Sequence, residues 1–157
     1  MNRNLSHRRA TINDVGTIVN LLLEDELGKT RESTNTVLDQ LYITAFHKID
    51  IDQNQYLMIV ENGEEIVGTC HLTIMPSLTF SGKTRMQIEA VRILEKYRGH
   101  KIGEWMMQAS ISYGKAKGAS IVQLTTNKKR TKARKFYECF GFEASHEGMK
   151  LYLSEEE

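Results

Sequence analysis

Between Met86 and Ala109 the chain reads MQIEAVRILEKYRGHKIGEWMMQA, and three groups that can do chemistry stand close together in it. Met86–Leu94 is strand-like and carries Glu89. Tyr97–Gly103 is a short basic loop with Arg98, Gly99, His100, Lys101 and Gly103. Ile102, Met106, Ala109, Tyr113 and Ala116 then recur at steps of four and three, one face of a helix. A glycine-bearing loop that opens a helix presents unpaired N–H groups at the positive end of the helix dipole, which suits a phosphate or diphosphate. A second charged stretch, Asn127–Arg134, holds Lys128, Lys129, Arg130, Lys132 and Arg134 ahead of a short helix with Tyr137. A charge run of this kind is usually a solvated face. His71 could serve as a base, although a histidine on the polar side of a strand is more often structural. Trp105, Met106 and Met107 read as core.

The composition narrows the class. Lys and Arg number 21 against 20 Asp and Glu in 157 residues, a net charge of +1. That balance, with no aromatics interleaved among the basic residues, argues against a nucleic-acid surface. No apolar run reaches the roughly 18 residues a membrane span needs, and the N-terminus lacks the apolar core of a secretory signal. Two cysteines without CxxC spacing, Cys70 and Cys139, read as reduced residues of a cytoplasmic protein, with no metal site. A single domain over 1–157 is expected, with 154–157 a frayed tail.

These groups need a scaffold. Ser6–Ala10 reads as a strand. Thr11–Asp14 supplies caps for a helix with Val15, Ile18, Val19, Leu22 and Leu23 on its apolar face, ending near Gly28. A second helix shows Leu38, Leu41, Tyr42, Ala45 and Ile49. Tyr56–Glu61 and Ile66–Ile74 flank Asn62-Gly63, a strong hairpin signal. Alternation puts Ile66, Gly68, Cys70, Leu72 and Ile74 on one face, and Val67, Thr69, His71 and Thr73 on the other. Met75–Thr84 reads as a flexible connection. After the central strand, loop and helix come a strand at Ser120–Thr126 and a helix through Phe140. Phe142–Ala144 and Met149–Leu153 suggest a closing hairpin. The order β-α-α-β-β-β-α-β-α-β-β describes a mixed α/β sheet protein.

Arg98-Gly99-His100-Lys101-Ile102-Gly103 resembles the Gln/Arg-x-x-Gly-x-Gly/Ala diphosphate motif of the GCN5-related N-acetyltransferases, with Lys101 in place of the middle glycine. Ala133, Tyr137 and Gly141-Phe142 resemble the family's second signature. Arg130 stands where members often carry asparagine. Two signatures in order are far more specific than one glycine loop.

The resemblance implies a single-domain fold with a central mixed, mostly antiparallel twisted sheet, splayed after the fourth strand and flanked by helices. It implies acetyl-CoA as cosubstrate, a primary amine as acceptor, no metal, and direct attack in a ternary complex. Backbone groups of Val91, Arg92 and Ile93 would hold the pantetheine arm. The amides of Arg98, Gly99, His100, Lys101, Ile102 and Gly103 would hold the diphosphate. Asn127, Arg130, Lys132 and Arg134 would lie toward the 3′-phosphate end. Only about one alkylamine in a thousand is neutral near pH 7, so a base is needed. Glu89 takes that role by the resemblance, Tyr137 is the acid for the departing thiolate, and the Val91 N–H stabilises the oxyanion. The expected acceptor is a small molecule. A protein lysine or N-terminus, and a non-catalytic acyl-CoA-binding module, are the alternatives. A homodimer through the last strands is compatible with the resemblance.

Overall fold

The computed structural model describes residues 4–24 and 40–153. Strand β1 (Leu5–Arg9) leads through a 3-10 turn to helix α1 (Val15–Leu23). Helix α2 (Gln40–Ile51) precedes β2 (Gln55–Asn62) and β3 (Glu65–Met75), joined at Asn62-Gly63, where Gly63 takes a φ of 67°. A single turn, α3 (Thr79–Gly82), interrupts the expected flexible connection, with Phe80 and Ser81 left-handed at φ 53° and 59°. Strand β4 (Thr84–Ile93), helix α4 (Ile102–Ala116), strand β5 (Ala119–Leu124) and helix α5 (Thr131–Glu138) follow. The five strands lie in sequence order. The first four are antiparallel, and β5 runs parallel to β4. The long α4 connection is what a parallel neighbour requires.

Strand alternation divides the sheet between two apolar layers. Met58, Val60, Cys70, Leu72, Met86 and Ile88 bury one face against Ile102, Met106 and Met107 of α4. Ile59 packs on the other face with Val15, Ile18, Val19 and Phe46 of α1 and α2. One expectation is corrected here. A register irregularity between Val60 and Glu61 puts Val67 in the α4 layer and Ile66 with α1 and α2, so simple alternation fails at that point. A bulge adds one residue to a strand and inverts the facing of what lies beyond it.

A second correction concerns the C-terminus. Residues 142–153 form no strand. Met149 and Leu151 are 94% and 86% exposed, so no closing hairpin forms. Stretches of three and five residues have too little apolar face to hold an isolated hairpin together. Gly28 and Leu38 fall outside the described residues. Among the described residues no helix is long and apolar enough to cross a membrane, and no cluster of three His, Cys, Asp or Glu is placed to hold a metal ion.

The expected cap at Thr11–Asp14 is a charged one. Arg8 donates from both terminal nitrogens to Asp14, at 2.8 and 2.9 Å. The Thr11 amide and hydroxyl donate to Asp14 Oδ2 at 2.7 and 2.9 Å. Arg8 also donates to Glu61 on β2, so this cluster pins the entry of α1 to the sheet. Above all the Arg8 hydrogen bonds hold the Asp14 carboxyl down at about 2, from an ordinary 3.8. The folded form therefore gains stability above pH 3.8 and loses it as pH falls toward 2. Asp14→Asn is expected to cost about 1–2 kcal/mol at pH 7, allowing for solvent around Arg8. Urea titrations at pH 7 and pH 2 should show that difference shrinking in acid.

Candidate active site

The site is built where β4 and β5 part. Their parallel pairing runs from Thr84↔Ala119 to Ile88↔Leu124 and stops, while β4 continues to Ile93. Two residues past the last pair, β4 bulges. Ala90 adopts a φ of 51°, and the β3–β4 register shifts between Thr69 and His71. The bulge inverts the facing of β4: Met86 and Ile88 point to the α4 core before it, Val91 and Ile93 after it. Gly68 sits opposite Ile93. A Cβ there would stand 2.9 Å from the Arg92 carbonyl oxygen and 2.8 Å from an Ile93 methyl. The first is a backbone atom, so only glycine lets β4 turn this close to β3.

A cavity of about 780 Å³ fills the gap, lined by Val91, Ile93, Arg98, Lys101, Lys132 and Tyr137 among others. One wall is apolar, where Ile93 and Phe136 approach Gly103. The other rim is cationic. At the mouth, the first α-helical bond at the start of α4 runs from Trp105 N–H to the Lys101 carbonyl. The amides of Ile102, Gly103 and Glu104 thus have no acceptor within the helix. Lys101 itself is left-handed, with φ 62° and ψ 9°, as is Gly99 at φ 77°. The replaced glycine therefore keeps the backbone that a glycine motif demands, at a cost of about 1–2 kcal/mol for a side-chain-bearing residue.

The side chains of this loop are engaged elsewhere. Arg98 donates to the Ile93 carbonyl at 3.1 Å and to Glu24 at the end of α1 at 3.3 Å. Glu24 also accepts from the Glu95 amide at 2.9 Å. His100 Nδ1 lies 3.0 Å from the Arg98 carbonyl oxygen. Arg98 and His100 thus shape the loop, and the Arg98 amide, expected to meet an anion, instead donates to the Glu95 carbonyl at 3.1 Å. Among the expected basic contacts, Arg130 and Lys132 line the cavity, while Asn127 and Arg134 do not. Asn127 Oδ1 caps the Lys129 amide at 2.9 Å, and Arg134 donates to Glu138 at 2.8 Å. Ile102 is buried in the core and contributes only backbone.

Tyr137 lies half-buried on the α4 side, against Phe136 and Phe142. Burial pushes its phenol above the ordinary value of 10, with Arg130 and Arg92 opposing, so at neutral pH it keeps its proton. Glu89 is exposed and does not line the cavity. Alternation puts it on the α1/α2 face, opposite His71 of β3. Glu89 and Tyr137 therefore flank the parting of the strands from opposite faces of the sheet. Sequence reasoning missed Tyr97, Glu104, Thr131 and Phe136 as cavity-lining residues. It also missed the burial of His71, whose Nε2 has no hydrogen-bond partner. Only the packing of β3 against β4 and α1 reveals that.

Residues 19–142 match the model of the acetyltransferase (GNAT) family, and the chain belongs to that family. A crystal structure of a transcriptional regulator from Bacillus halodurans C-125 superposes with a TM-score of 0.92 at 41% identity, over 96% of this chain and all of that one. The aminoalkylphosphonate N-acetyltransferase of Salmonella typhimurium is 29% identical over 88% of this chain and 85% of its own. The glucosamine 6-phosphate N-acetyltransferase of Trypanosoma brucei brucei is 33% identical over 56% of this chain, and the match spans 58% of that relative.

Two substitutions test this geometry. Gly68→Ala should destabilise the fold by about 1–3 kcal/mol, because the added methyl pushes on the bulged backbone. Lys101→Gly should stabilise it by about 0.5–1 kcal/mol by relieving the left-handed side-chain clash, less the entropy glycine adds to the unfolded chain. Chemical denaturation of the two variants beside wild type reads both.

Proposed function

We propose that the protein is an acetyl-CoA-dependent N-acetyltransferase that acetylates a small-molecule primary amine by direct attack in a ternary complex. The observation that carries this reading is the parting of β4 from β5 into a cavity that joins the strand segment beyond their last pair, a set of helix-terminal amides and a protonated tyrosine. These residues fit coenzyme A as it is built. The segment Val91–Ile93, beyond the last β5 pair, suits a pantetheine arm, the α4 mouth suits its diphosphate, and Arg130 and Lys132 suit its 3′-phosphate end. Bound there, acetyl-CoA supplies an activated acetyl thioester. Amides of Gly99–Gly103 hold its phosphates, with Lys101 adding charge. The Val91 N–H is the donor for the carbonyl oxygen. Glu89 draws a proton from the acceptor ammonium, and Tyr137 gives one to the sulfur.

The acceptor class is taken from the two N-acetyltransferase relatives, whose named substrates are small phosphorus-bearing amines. The reaction draws on cytoplasmic acetyl-CoA. Tyr137→Phe should lower the rate of thiol release by about 100-fold or more while leaving acetyl-CoA affinity within about twofold. A thiol-trapping assay with calorimetry measures both. An unchanged rate removes Tyr137 from the chemistry. Coenzyme A binding without thiol release for any amine identifies a binding module.

A further inference from the structure

We infer that Arg92 is a specificity-determining residue of this site, and that the acceptor is a compact amine carrying an anionic group one or two carbons from its nitrogen. The inference rests on the acetyltransferase reading above and narrows its acceptor. Arg92 lines the cavity together with Val91 and Tyr137. Its Nη1 donates to the Val91 carbonyl at 2.8 Å, which fixes the guanidinium through one donor. Three bonds of about 1.2–1.5 Å join that oxygen to the Val91 nitrogen. The guanidinium nitrogen therefore lies within about 7 Å of the N–H that holds the thioester carbonyl in the reading above.

Charge decides what such a site accepts. Among the described residues, six cationic side chains line the cavity, Arg92, Arg98, Lys101, Lys129, Arg130 and Lys132, against one carboxylate, Glu104. Arg98 is held by Glu24. Lys101 opens α4, and Lys129, Arg130 and Lys132 cluster where α5 begins. Those are the places that suit the phosphates of coenzyme A. Arg92 belongs to neither group, since it lies on β4 beyond the last β5 pair. Burial raises the Tyr137 phenol, and Arg130 and Arg92 oppose that rise, so the Arg92 charge is felt at the acid of the reaction.

A bare alkylammonium brought beside a guanidinium is repelled. An anion carried next to the amine reverses the sign, and a phosphonate or carboxylate matches the planar fork of arginine donors. The short span from the guanidinium to the Val91 N–H sets the spacing. Amine and anion must stand close together in the acceptor too, and a phosphate many bonds from the amine overshoots Arg92.

The test measures thiol release by wild type, Arg92→Gln and Arg92→Lys. The amines are 1-aminoethylphosphonate, alanine and ethylamine, which share one skeleton, and glucosamine 6-phosphate, whose phosphate is distant. Wild type should favour 1-aminoethylphosphonate or alanine over ethylamine by about 10- to 100-fold in kcat/KM, and the better of the two identifies the anion. Arg92→Gln should shrink that ratio to within about threefold, with the loss in KM and acetyl-CoA affinity by calorimetry within about twofold. Arg92→Lys keeps the charge without the fork and should fall between. A wild-type ratio within about threefold, a preference for glucosamine 6-phosphate, or an Arg92→Gln variant that slows all amines alike overturns the assignment and leaves the transferase reading standing. A larger loss of acetyl-CoA affinity in Arg92→Gln gives the residue to the cofactor and also overturns it. Should the glutamine variant fail to fold, the lysine variant and the wild-type panel decide. A wild type that binds acetyl-CoA but releases no thiol with any of these amines overturns the transfer reading and this assignment together.

Discussion

The close approach of β3 and β4 at Gly68 governs what the rest of the molecule can do. With no Cβ at that position, the Arg92 carbonyl and the Ile93 side chain move in against β3, and the extra residue at Ala90 is absorbed as a left-handed bulge. The bulge bends β4 away from β5 and inverts its facing, so Val91 and Ile93 line a cavity and not a continuous sheet. Every other site feature is referred to that bend. It carries β4 past its last β5 pair, so that Val91 and Ile93 line the opening.

The loop after β4 shows how charge and backbone divide their work. Arg98 and His100 would be natural phosphate contacts by type alone, yet their hydrogen bonds run to the Ile93 carbonyl, to Glu24 and within the loop itself. Lys101 accepts a left-handed backbone where glycine would sit without strain. The strain persists because α4 is anchored by Ile102, Met106 and Met107 in the main core, which over-determines the turn in front of it. Glu104, in the first turn, tempers the positive potential at the same mouth.

Burial also sorts the reactive side chains. Cys70 lies in the α4 layer, where desolvation raises its thiol to about 11 and makes it a packing group. Tyr137 and His71 are both displaced by burial, each toward its uncharged form. A neutral phenol is a donor and a neutral imidazole nitrogen is an acceptor. Of these two, Tyr137 lines the cavity and His71 does not.

By itself the sequence determined most of the element order, because amphipathic period, turn chemistry and capping are local properties. The Asn62-Gly63 hairpin, the Thr11–Asp14 cap, the α4 face and the two family signatures were all legible there. The strand facings at Ile66 and Val67 were not, since one bulged residue inverts a period-two pattern. The missing C-terminal hairpin was not either, since alternation marks a strand without saying what it pairs with. Tertiary structure alone decided that Arg98 is a clamp, that Asn127 and Arg134 do not line the cavity, and that His71 stands opposite Glu89 with its Nε2 buried. Each of those depends on distances between strands and helices far apart in the chain, which no local residue pattern encodes.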